Sequence, residues 1–303
     1  MNQAETPTRS GFVALIGAPN AGKSTLLNRL VGAKVSIVTH KVQTTRATIR
    51  GIAIAGSAQI VFVDTPGIFR PRRRLDRAML ESAWGGAKDA DLVVLLIDAH
   101  RGIDEEVGEL LDRVAELPQR RFLALNKVDT IERPKLLALA AEAATRAEFA
   151  ETFMISALTG DGCNDLLAAI AKALPEGPWL YPEDQISDLP LRNLAAEITR
   201  EKMLLRLHDE LPYTSTVETT SWEDRKDGSA RVEQTIYVAR DSQKKIVLGK
   251  GGQTIKAISQ AARKEIAEIA EKPVHLFLFV KVRERWADDP ERYREMGLEL
   301  PKD

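Results

Sequence analysis

Residues 12–28 place a glycine-rich loop between a short apolar strand and a helix. Phe12–Ile16 is an apolar run of strand length, Gly17–Ser24 matches the pattern G-x-x-x-x-G-K-[ST], and a helical apolar pattern begins at Thr25. Glycines let the backbone bend so that several N–H groups point inward, and the helix presents its positive N-terminal end to the same anion. The stretch therefore predicts a site for the phosphates of a nucleoside triphosphate, without specifying the base.

Two side chains of this loop have predicted chemical roles. Lys23 would reach the β- and γ-phosphates, and the Ser24 hydroxyl would ligate Mg²⁺. The other residues would contribute backbone N–H groups to the phosphate cradle. The residues predicted to bind the nucleotide here are Gly17, Ala18, Pro19, Asn20, Ala21, Gly22, Lys23, Ser24 and Thr25.

Length and composition are those of a soluble protein with two domains. The 303 residues are 44% hydrophobic and 29% charged, and the formal net charge is −1. A near-neutral chain can bind nucleic acid only through a local basic surface. The single cysteine, Cys163, excludes an internal disulfide, and the N-terminal residues lack the apolar core of an export signal. We therefore expect a cytoplasmic protein.

A polar, threonine-rich segment, residues 33–47, follows the loop helix. Such a segment can fold over a bound triphosphate and supply a hydroxyl as a second protein ligand to Mg²⁺. Thr45 in Q-T-T-R is the ligand that we predict, and Thr44 is the alternative, because spacing does not separate the two.

An Asp-x-x-Gly motif ends the next apolar strand. Two strand-like runs, residues 48–55 and 59–63, are joined at Gly56–Ser57 in the manner of a hairpin. A carboxylate at the end of the second run could hold Mg²⁺, and a glycine N–H could sense the γ-phosphate. The motif is weak alone, but its place at a strand end downstream of the phosphate loop makes it persuasive. Its residues are Asp64, Thr65, Pro66 and Gly67.

The motif N-K-V-D at 126–129 follows the apolar strand 121–125 and indicates which base is bound. The Asp129 carboxylate can accept hydrogen bonds from N1–H and the exocyclic amine of guanine, and adenine has no matching donors. Adenine would leave a buried carboxylate unpaired, which is unfavourable. Asn126 and Lys127 would brace the base loop, with the lysine stem packed on the purine. The motif therefore predicts guanine.

A last strand-like run, residues 152–155, leads into Ser156, Ala157 and Leu158, where a backbone N–H could meet the guanine carbonyl oxygen. The motifs G-A-P-N-A-G-K-S, Q-T-T-R, D-T-P-G, N-K-V-D and S-A-L occur in this order at strand ends, and they resemble the G motifs of translation-factor-class GTPases. The resemblance covers about residues 10–175. It implies an α/β P-loop G domain with a mostly parallel sheet and its ligands at the carboxyl ends of the strands.

Ile68 follows the Asp-x-x-Gly motif, at the position where Ras-like proteins carry the glutamine that orients water. A hydrophobic side chain cannot position water by hydrogen bonding, so we expect slow hydrolysis. Asn20 resembles an asparagine that, in some GTPases of this class, coordinates a potassium ion in place of an arginine finger. Either K⁺ stimulates hydrolysis, or Asn20 only stabilises the loop turn; both interpretations stay open. The predicted catalytic residues are Lys23, Thr45, Gly67 and Asn20, and the predicted metal ligands are Ser24, Thr45 and Asp64.

The second half of the chain has a clear element order after a proline-rich connection, residues 175–190. His275 is expected to make a core hydrogen bond from the last strand. The predicted elements are helix 191–208, strands 213–222 and 230–239, helix 244–247, helix 253–270 and strand 274–282.

The turn G-K-G-G at 249–252 between two helices lets the backbone come close to that of a nucleic acid, with both helix ends contributing dipoles. Between Ser242 and Lys264 there are six basic residues and no acidic residue, which is the local basic surface that the net charge conceals. An adjacent apolar groove would take unpaired bases. The predicted RNA contacts are Lys244, Lys245, Ile246, Leu248, Gly249, Lys250, Gly251, Gly252 and Lys256.

This order of elements looks like an α+β type II KH domain, and the whole chain resembles the Era GTPase family. The segments V-L-G-K-G-G-Q-T-I, P-V-H-L-F-L-F-V-K-V and W-A-D-D carry that resemblance. It implies a GTPase with GTP or GDP and Mg²⁺ as ligands, which binds the 3′ end of small-subunit ribosomal RNA in the GTP state and acts in assembly of the 30S subunit. It leaves peripheral association with the inner membrane open, and a monomer is the default.

The predicted domains are a G domain in residues 1–174, the connection 175–190, a KH domain in residues 191–287 and a tail in residues 288–303. GTP and Mg²⁺ would order residues 33–47 and the stretch after Asp64, and these two segments would thereby change the docking of the KH domain. Two alternatives stay open. The chain could be an RNA-binding adaptor whose G domain only senses nucleotide, or a GTPase that acts on a protein or membrane partner and uses the KH domain as a scaffold.

Overall fold

The computed structural model divides into two compact units, residues 1–36, 45–188 and 296–303, and residues 37–44 and 189–295. None of the helices in the described part of the chain has both the length and the hydropathy needed to cross a membrane. The residues that the structure describes are 7–41, 44–46, 48–69, 71, 74–207, 211, 215–284, 293 and 298.

The first unit is built on a six-stranded sheet in the order β2-β3-β1-β4-β5-β6. β2 pairs antiparallel with β3, and the other pairs are parallel. The predicted hairpin at Gly56–Ser57 is confirmed, because Ala55 pairs with Ala58 on either side of it. The strands are β1 (Arg9–Gly17), β2 (Ile49–Ala55), β3 (Ala58–Asp64), β4 (Leu92–Asp98), β5 (Arg120–Asn126) and β6 (Glu151–Ile155).

Side chains alternate along each strand, and apolar side chains lie on both faces of this sheet. Helices therefore cover both faces. Val13 and Leu15 of β1 belong to one apolar cluster, and Ala14 and Ile16 belong to the other. The Asp104 side chain caps α3 by accepting the Val107 N–H at 3.0 Å. The helices are α1 (Lys23–Val31), α2 (Arg74–Asp89), α3 (Glu105–Ala115), α4 (Arg133–Arg146) and α5 (Cys163–Ala173).

The proline-rich connection lies along the β2–β3 hairpin through residue 188. The indole of Trp179 donates to the Ser57 carbonyl at 3.0 Å. The Gln59 amide oxygen accepts the N–H groups of Leu180 and Tyr181 at 2.7 and 2.9 Å. Because Gln59 is fully buried, these hydrogen bonds hold the connection to the surface of the first unit.

The second unit has a three-stranded sheet in the order β7-β8-β9, with β7 and β8 antiparallel and β8 and β9 parallel. The predicted element order is confirmed, although positions 208, 213 and 214 of the predicted elements lie outside the described residues. The elements are α6 (Leu191–Arg206), β7 (Ser215–Asp224), β8 (Ala230–Val238), α7 (Asp241–Leu248), α8 (Gln253–Ile269) and β9 (Val274–Val282).

The core of the second unit contains a chain of buried polar groups beside its apolar clusters. Thr199 of α6 donates to Gln234 of β8 at 2.5 Å, and Gln234 donates to Thr219 of β7 at 3.2 Å. His275 is not part of this core. The expectation that it makes a core hydrogen bond is wrong, because its position in β9 directs it outward and leaves it exposed.

Candidate nucleotide-binding site and nucleic-acid interface

The phosphate loop connects β1 to α1 and requires glycine at two positions. Gly22 has φ 99°, and a Cβ there would lie 2.2 Å from the Asn126 side-chain nitrogen. A Cβ at Gly17 would lie 2.6 Å from the Leu96 carbonyl oxygen. Asn20 also has a positive φ, 62°. The loop therefore packs closely against two strand ends and curves tightly, as a cradle of backbone N–H groups must.

Lys23 is buried within this loop. Its ammonium donates to the carbonyl oxygens of Gly17 and Ala18 at 2.9 and 3.0 Å. Burial lowers its pKa to about 8, and the nearby Asp64 carboxylate acts in the opposite direction. The lysine thus lies at the phosphate loop with a charge that is poorly solvated, which favours pairing with an anion.

Three hydroxyl groups surround one oxygen of Asp64, at the end of β3. Ser24 and Ser36 donate to Oδ2 at 2.8 and 2.9 Å, and the Thr45 hydroxyl lies at 3.4 Å. Oδ1 is buried without a hydrogen-bond partner. Burial raises the pKa of Asp64, and Lys23 and the three hydroxyls act in the opposite direction.

This set of oxygens fits a hard divalent cation. Mg²⁺ takes oxygen ligands and is held in nucleotide sites by one or two protein groups together with phosphates. The orphaned Oδ1 and the neighbouring hydroxyls are such donors. Among the described residues there is no group of three His, Cys, Asp or Glu side chains that could hold a metal, so a metal here would depend on a single carboxylate. The oxygens belong to Ser24, Thr45 and Asp64.

Thr44 and Thr45 have different surroundings. The Thr45 hydroxyl lies 3.0 Å from Ser24 Oγ. The Thr44 hydroxyl instead pairs with Thr39 Oγ1 at 2.7 Å and with the Lys41 carbonyl at 2.6 Å. The geometry therefore favours Thr45 as the second hydroxyl ligand.

The Asp-x-x-Gly residues lie against the phosphate loop. The Thr65 hydroxyl donates to the Leu15 carbonyl at 2.8 Å. A Cβ at Gly67 would lie 2.9 Å from the Pro19 Cα, so only glycine fits at this close approach. The Ile68 N–H donates to the Gly17 carbonyl at 3.1 Å, and its side chain packs against the apolar cluster of β1 and β4. No group at position 68 can therefore orient water.

Asn126 joins the loops that would surround the base. Its amide nitrogen donates to the Ala21 carbonyl at 2.8 Å, and its oxygen accepts the Ala157 N–H at 2.9 Å. The Lys127 ammonium pairs with Asp98 at 2.6 Å. Asp129 is exposed, which leaves its carboxylate accessible to a ligand. The structure thus brings together the phosphate loop, the 126–129 motif and residues 156–158.

Three residues of this site were missed by sequence reasoning. Ser36 donates to Asp64, Asp98 orients Lys127, and Arg29 donates to the Ala157 carbonyl at 3.3 Å. Of the three, only Asp98 could have been predicted from the sequence. It ends a buried strand, and ligands bind at the carboxyl ends of parallel strands. Ser36 and Arg29 match no motif.

The second site is the turn between α7 and α8. Gly249 has φ 73° and ψ 172°, a conformation that only glycine adopts readily, and a Cβ there would lie 2.2 Å from Thr254 Oγ1. Gly251 and Gly252 also have positive φ but border open space. Lys250 is exposed between them. The turn thus presents backbone and an ammonium group to solvent at the N-terminal end of α8.

The predicted RNA-contacting side chains near this turn differ in solvent exposure. Lys245, Lys250 and Lys256 are exposed, and Lys244 is half-buried. Ile246 is 56% exposed, and Leu248 is half-buried beside the core. An exposed isoleucine next to exposed lysines combines an apolar surface for bases with charges for phosphates.

Two family models match the chain. One is described as a 50S ribosome-binding GTPase and matches residues 12–127, and the other is described as a KH domain and matches residues 210–287. GTPase Era of Rhizobium meliloti is 73% identical over 296 residues, which are 98% of this chain and 95% of the relative. The chain belongs to the Era GTPase family.

Other Era proteins are similar over nearly the whole chain. GTPase Era of Agrobacterium fabrum is 69% identical over 98% of this chain and 93% of its own. A crystal structure of an Aquifex aeolicus Era variant bound to GDP and AlF4⁻ is 38% identical, with a TM-score of 0.90 over 96% of this chain and 99% of that chain. A crystal structure of Era with MgGDPNP and nucleotides 1506–1542 of 16S ribosomal RNA is 39% identical over the same shares, with the same TM-score. The predicted fold class, a P-loop G domain followed by a KH domain, is confirmed.

Proposed function

We propose that this chain hydrolyses GTP to GDP and phosphate, binds the 3′ end of small-subunit ribosomal RNA through its KH domain in the GTP state, and acts in assembly of the 30S subunit. The observation that carries the proposal is the convergence of Ser24, Thr45 and Asp64 beside the buried Lys23. The same chain supplies the G-K-G-G turn of a nucleic-acid site.

The residues of the phosphate site have different roles in hydrolysis. Lys23 and the N–H groups of the phosphate loop stabilise the negative charge that develops as water attacks the γ-phosphate in line. Ser24, Thr45 and Asp64 would hold Mg²⁺, which when bound would neutralise negative charge on the phosphates. Thr45 takes part only when the γ-phosphate is present, and Ile68 supplies no hydrogen bond to water. The reaction is therefore slow.

Selectivity for guanine rests on Asp129, with Asn126 and Lys127 holding the base loop. Asp129 accepts two hydrogen bonds that guanine donates and adenine does not. The contacts of Asn126 to Ala21 and Ala157 support this role, because they fix the base loop relative to the phosphate loop. Ser156, Ala157 and Leu158 would supply an N–H to the guanine carbonyl.

Asn20 carries the proposal that potassium stimulates hydrolysis. Its positive φ of 62° places it within the tight turn of the phosphate loop. The hydrolysis rates of the protein and of Asn20→Ala are compared in K⁺ and in Na⁺. A rate that rises in K⁺ only when Asn20 is present would support the ion site, and equal rates would leave Asn20 as a residue of the turn.

The RNA partner is proposed from the family together with the G-K-G-G turn. An Era protein has been crystallised with the 3′ region of 16S ribosomal RNA, and the exposed lysines around Gly249 suit a nucleic-acid backbone. A single-stranded 3′ end suits a KH groove, because duplex RNA hides its base edges.

The experiment that tests RNA binding uses a 3′-terminal oligonucleotide of small-subunit ribosomal RNA at fixed salt. Lys250→Asp with Gly251→Asp should abolish binding, because two carboxylates would face the phosphates. Lys226→Asp, which reverses an exposed charge on the β7–β8 turn of the same unit, is the matched control and should bind normally. Unchanged binding by the double variant would favour the scaffold alternative.

A second experiment tests whether the G domain only senses nucleotide. Lys23→Ala removes the charge that stabilises the reacting phosphates. Under the proposal this variant fails to support assembly of the small subunit, and under the adaptor alternative it succeeds. We propose the monomer as the working unit, since one chain supplies the motifs of both sites.

A further inference from the structure

Residues 37–44, here called the anchored segment, belong to the second unit. Among its described residues, Val38, Lys41 and Thr44 are hydrogen-bonded to α6 or to the residue that follows it. The backbone N–H of Val38 donates to the Glu201 carboxylate at 2.9 Å. The Lys41 ammonium donates to the Leu207 carbonyl. These contacts join a segment predicted to respond to GTP to a helix of the KH unit.

Arg200 makes the contact at the end of the anchored segment. Its guanidinium is 2% exposed and donates to the carbonyl of Thr44. Glu197 orients it by accepting the Nε–H at 2.8 Å. The carbonyl of Thr44 and the nitrogen of Thr45 share one peptide plane, so holding that carbonyl restricts the direction of the Thr45 side chain.

Glu201 is also held in place. It is 3% exposed, and the Lys202 ammonium pairs with it at 2.6 Å. Lys202 pairs in addition with Glu265 of α8. A buried carboxylate with a fixed partner has little freedom to move, so the Val38 N–H meets a rigid acceptor.

We propose that Arg200 and Glu201 are positioning residues for GTP, which hold the backbone of the anchored segment so that the Thr45 hydroxyl is presented at the metal-binding edge of the phosphate site. The inference rests on the proposed function, in which Thr45 ligates Mg²⁺ only with the triphosphate bound. Neither residue belongs to the nucleotide motifs. Their loss therefore weakens binding of the triphosphate and spares the diphosphate.

The test measures the Kd of the full-length protein for GDP and for a non-hydrolysable GTP analogue, both with Mg²⁺. Arg200→Gln and Thr45→Ala are each expected to weaken analogue binding about tenfold and to change GDP binding by less than about twofold. The double variant is expected to bind no more weakly than Thr45→Ala, because Arg200 acts through Thr45. Arg192→Gln is the control, since this arginine of the same helix contacts Thr219 instead.

Additive losses in the double variant, or equal losses of GDP and analogue binding in Arg200→Gln, would overturn the proposal. Normal analogue binding by Thr45→Ala would overturn it too, and would place the failure in the proposed role of Thr45. If Arg200→Gln does not fold, Lys41→Met serves in its place. That variant removes only a half-buried lysine contact, and an unchanged ratio of analogue to GDP affinity would contradict the inference.

Discussion

Burial lowers the pKa of Lys23, the residue proposed to bind the phosphates. Its ammonium is enclosed by the carbonyl oxygens of the phosphate loop, and its pKa is about 8. Because this pKa lies below that of the unfolded chain, the unfolded chain binds more protons between about pH 8 and 10.5, and stability gains from this group as pH rises through that window. Binding of the phosphates, in contrast, requires the protonated form of Lys23, because the phosphates pair with its positive charge.

We predict that affinity for a non-hydrolysable GTP analogue falls above pH 8. Free Lys23 loses its proton there and must regain it on binding, so affinity should fall about tenfold for each pH unit above about 8. Equilibrium titrations from about pH 7 to 9 measure it. Lys23→Met is the control and should bind weakly with a flatter pH profile. An equally steep profile in this variant would assign the effect to another group.

Asp129 is the residue proposed to recognise the base, and its carboxylate is exposed. We predict that Asp129→Asn weakens GTP binding about 100-fold or more and strengthens binding of xanthosine triphosphate, because an amide can donate to the C2 carbonyl of xanthine. Competition binding with the two nucleotides measures the change. Asp165→Asn, on an exposed position of α5, is the matched control. An Asp129→Asn variant that still prefers GTP would show that another group recognises the base.

At the scale of elements, short connections carry both sites. The phosphate loop joins β1 to α1, and the G-K-G-G turn joins α7 to α8. Both connections contain glycines that permit a tight turn. In each, one glycine also lies so close to a neighbouring side chain that a Cβ would collide with it: Gly22 lies against Asn126, and Gly249 lies against Thr254. Such turns are destabilised by substitution more than their exposure suggests.

Comparing Gly249→Ala with Gly228→Ala should therefore separate the cost of a steric collision from the cost of a positive φ. We predict a loss of about 3 kcal/mol of unfolding free energy for the second unit and loss of RNA binding, because both the φ of 73° and the contact with Thr254 exclude a Cβ. Gly228→Ala, at a φ of 81° with open space around it, is the control and should lose about 1 kcal/mol. Denaturant unfolding and RNA titration check both. Equal losses in the two variants would contradict the role of Thr254.

At the scale of the whole molecule, the sequence predicts those parts of the two candidate sites whose residues lie close together along the chain. The phosphate loop, N-K-V-D and G-K-G-G each span at most eight residues, and their spacing alone carries the chemistry. Contacts between distant segments were not predictable in this way. Arg200 and Thr44 are 156 residues apart, Gln59 and Tyr181 are 122 apart, and Ser36 and Asp64 are 28 apart. Packing of the folded chain creates these contacts, and no motif records them.

We propose that GTP and RNA favour the same state of the molecule. By linkage, RNA must favour the GTP state by the factor by which GTP favours RNA, and a typical coupling of about 1–3 kcal/mol gives roughly 5–150-fold. The anchored segment connects the two sites in sequence, since it ends at Thr44, next to the proposed metal ligand, and is held by α6 of the KH unit.

The most direct test is the affinity of the full-length protein for a 3′-terminal oligonucleotide of small-subunit ribosomal RNA, at fixed salt, with GDP and then with a non-hydrolysable GTP analogue. We expect tighter binding with the analogue by a factor of roughly 5–150. Equal, tight binding with both nucleotides would keep RNA as the partner and contradict the coupling. Absence of binding with either would contradict the RNA function itself.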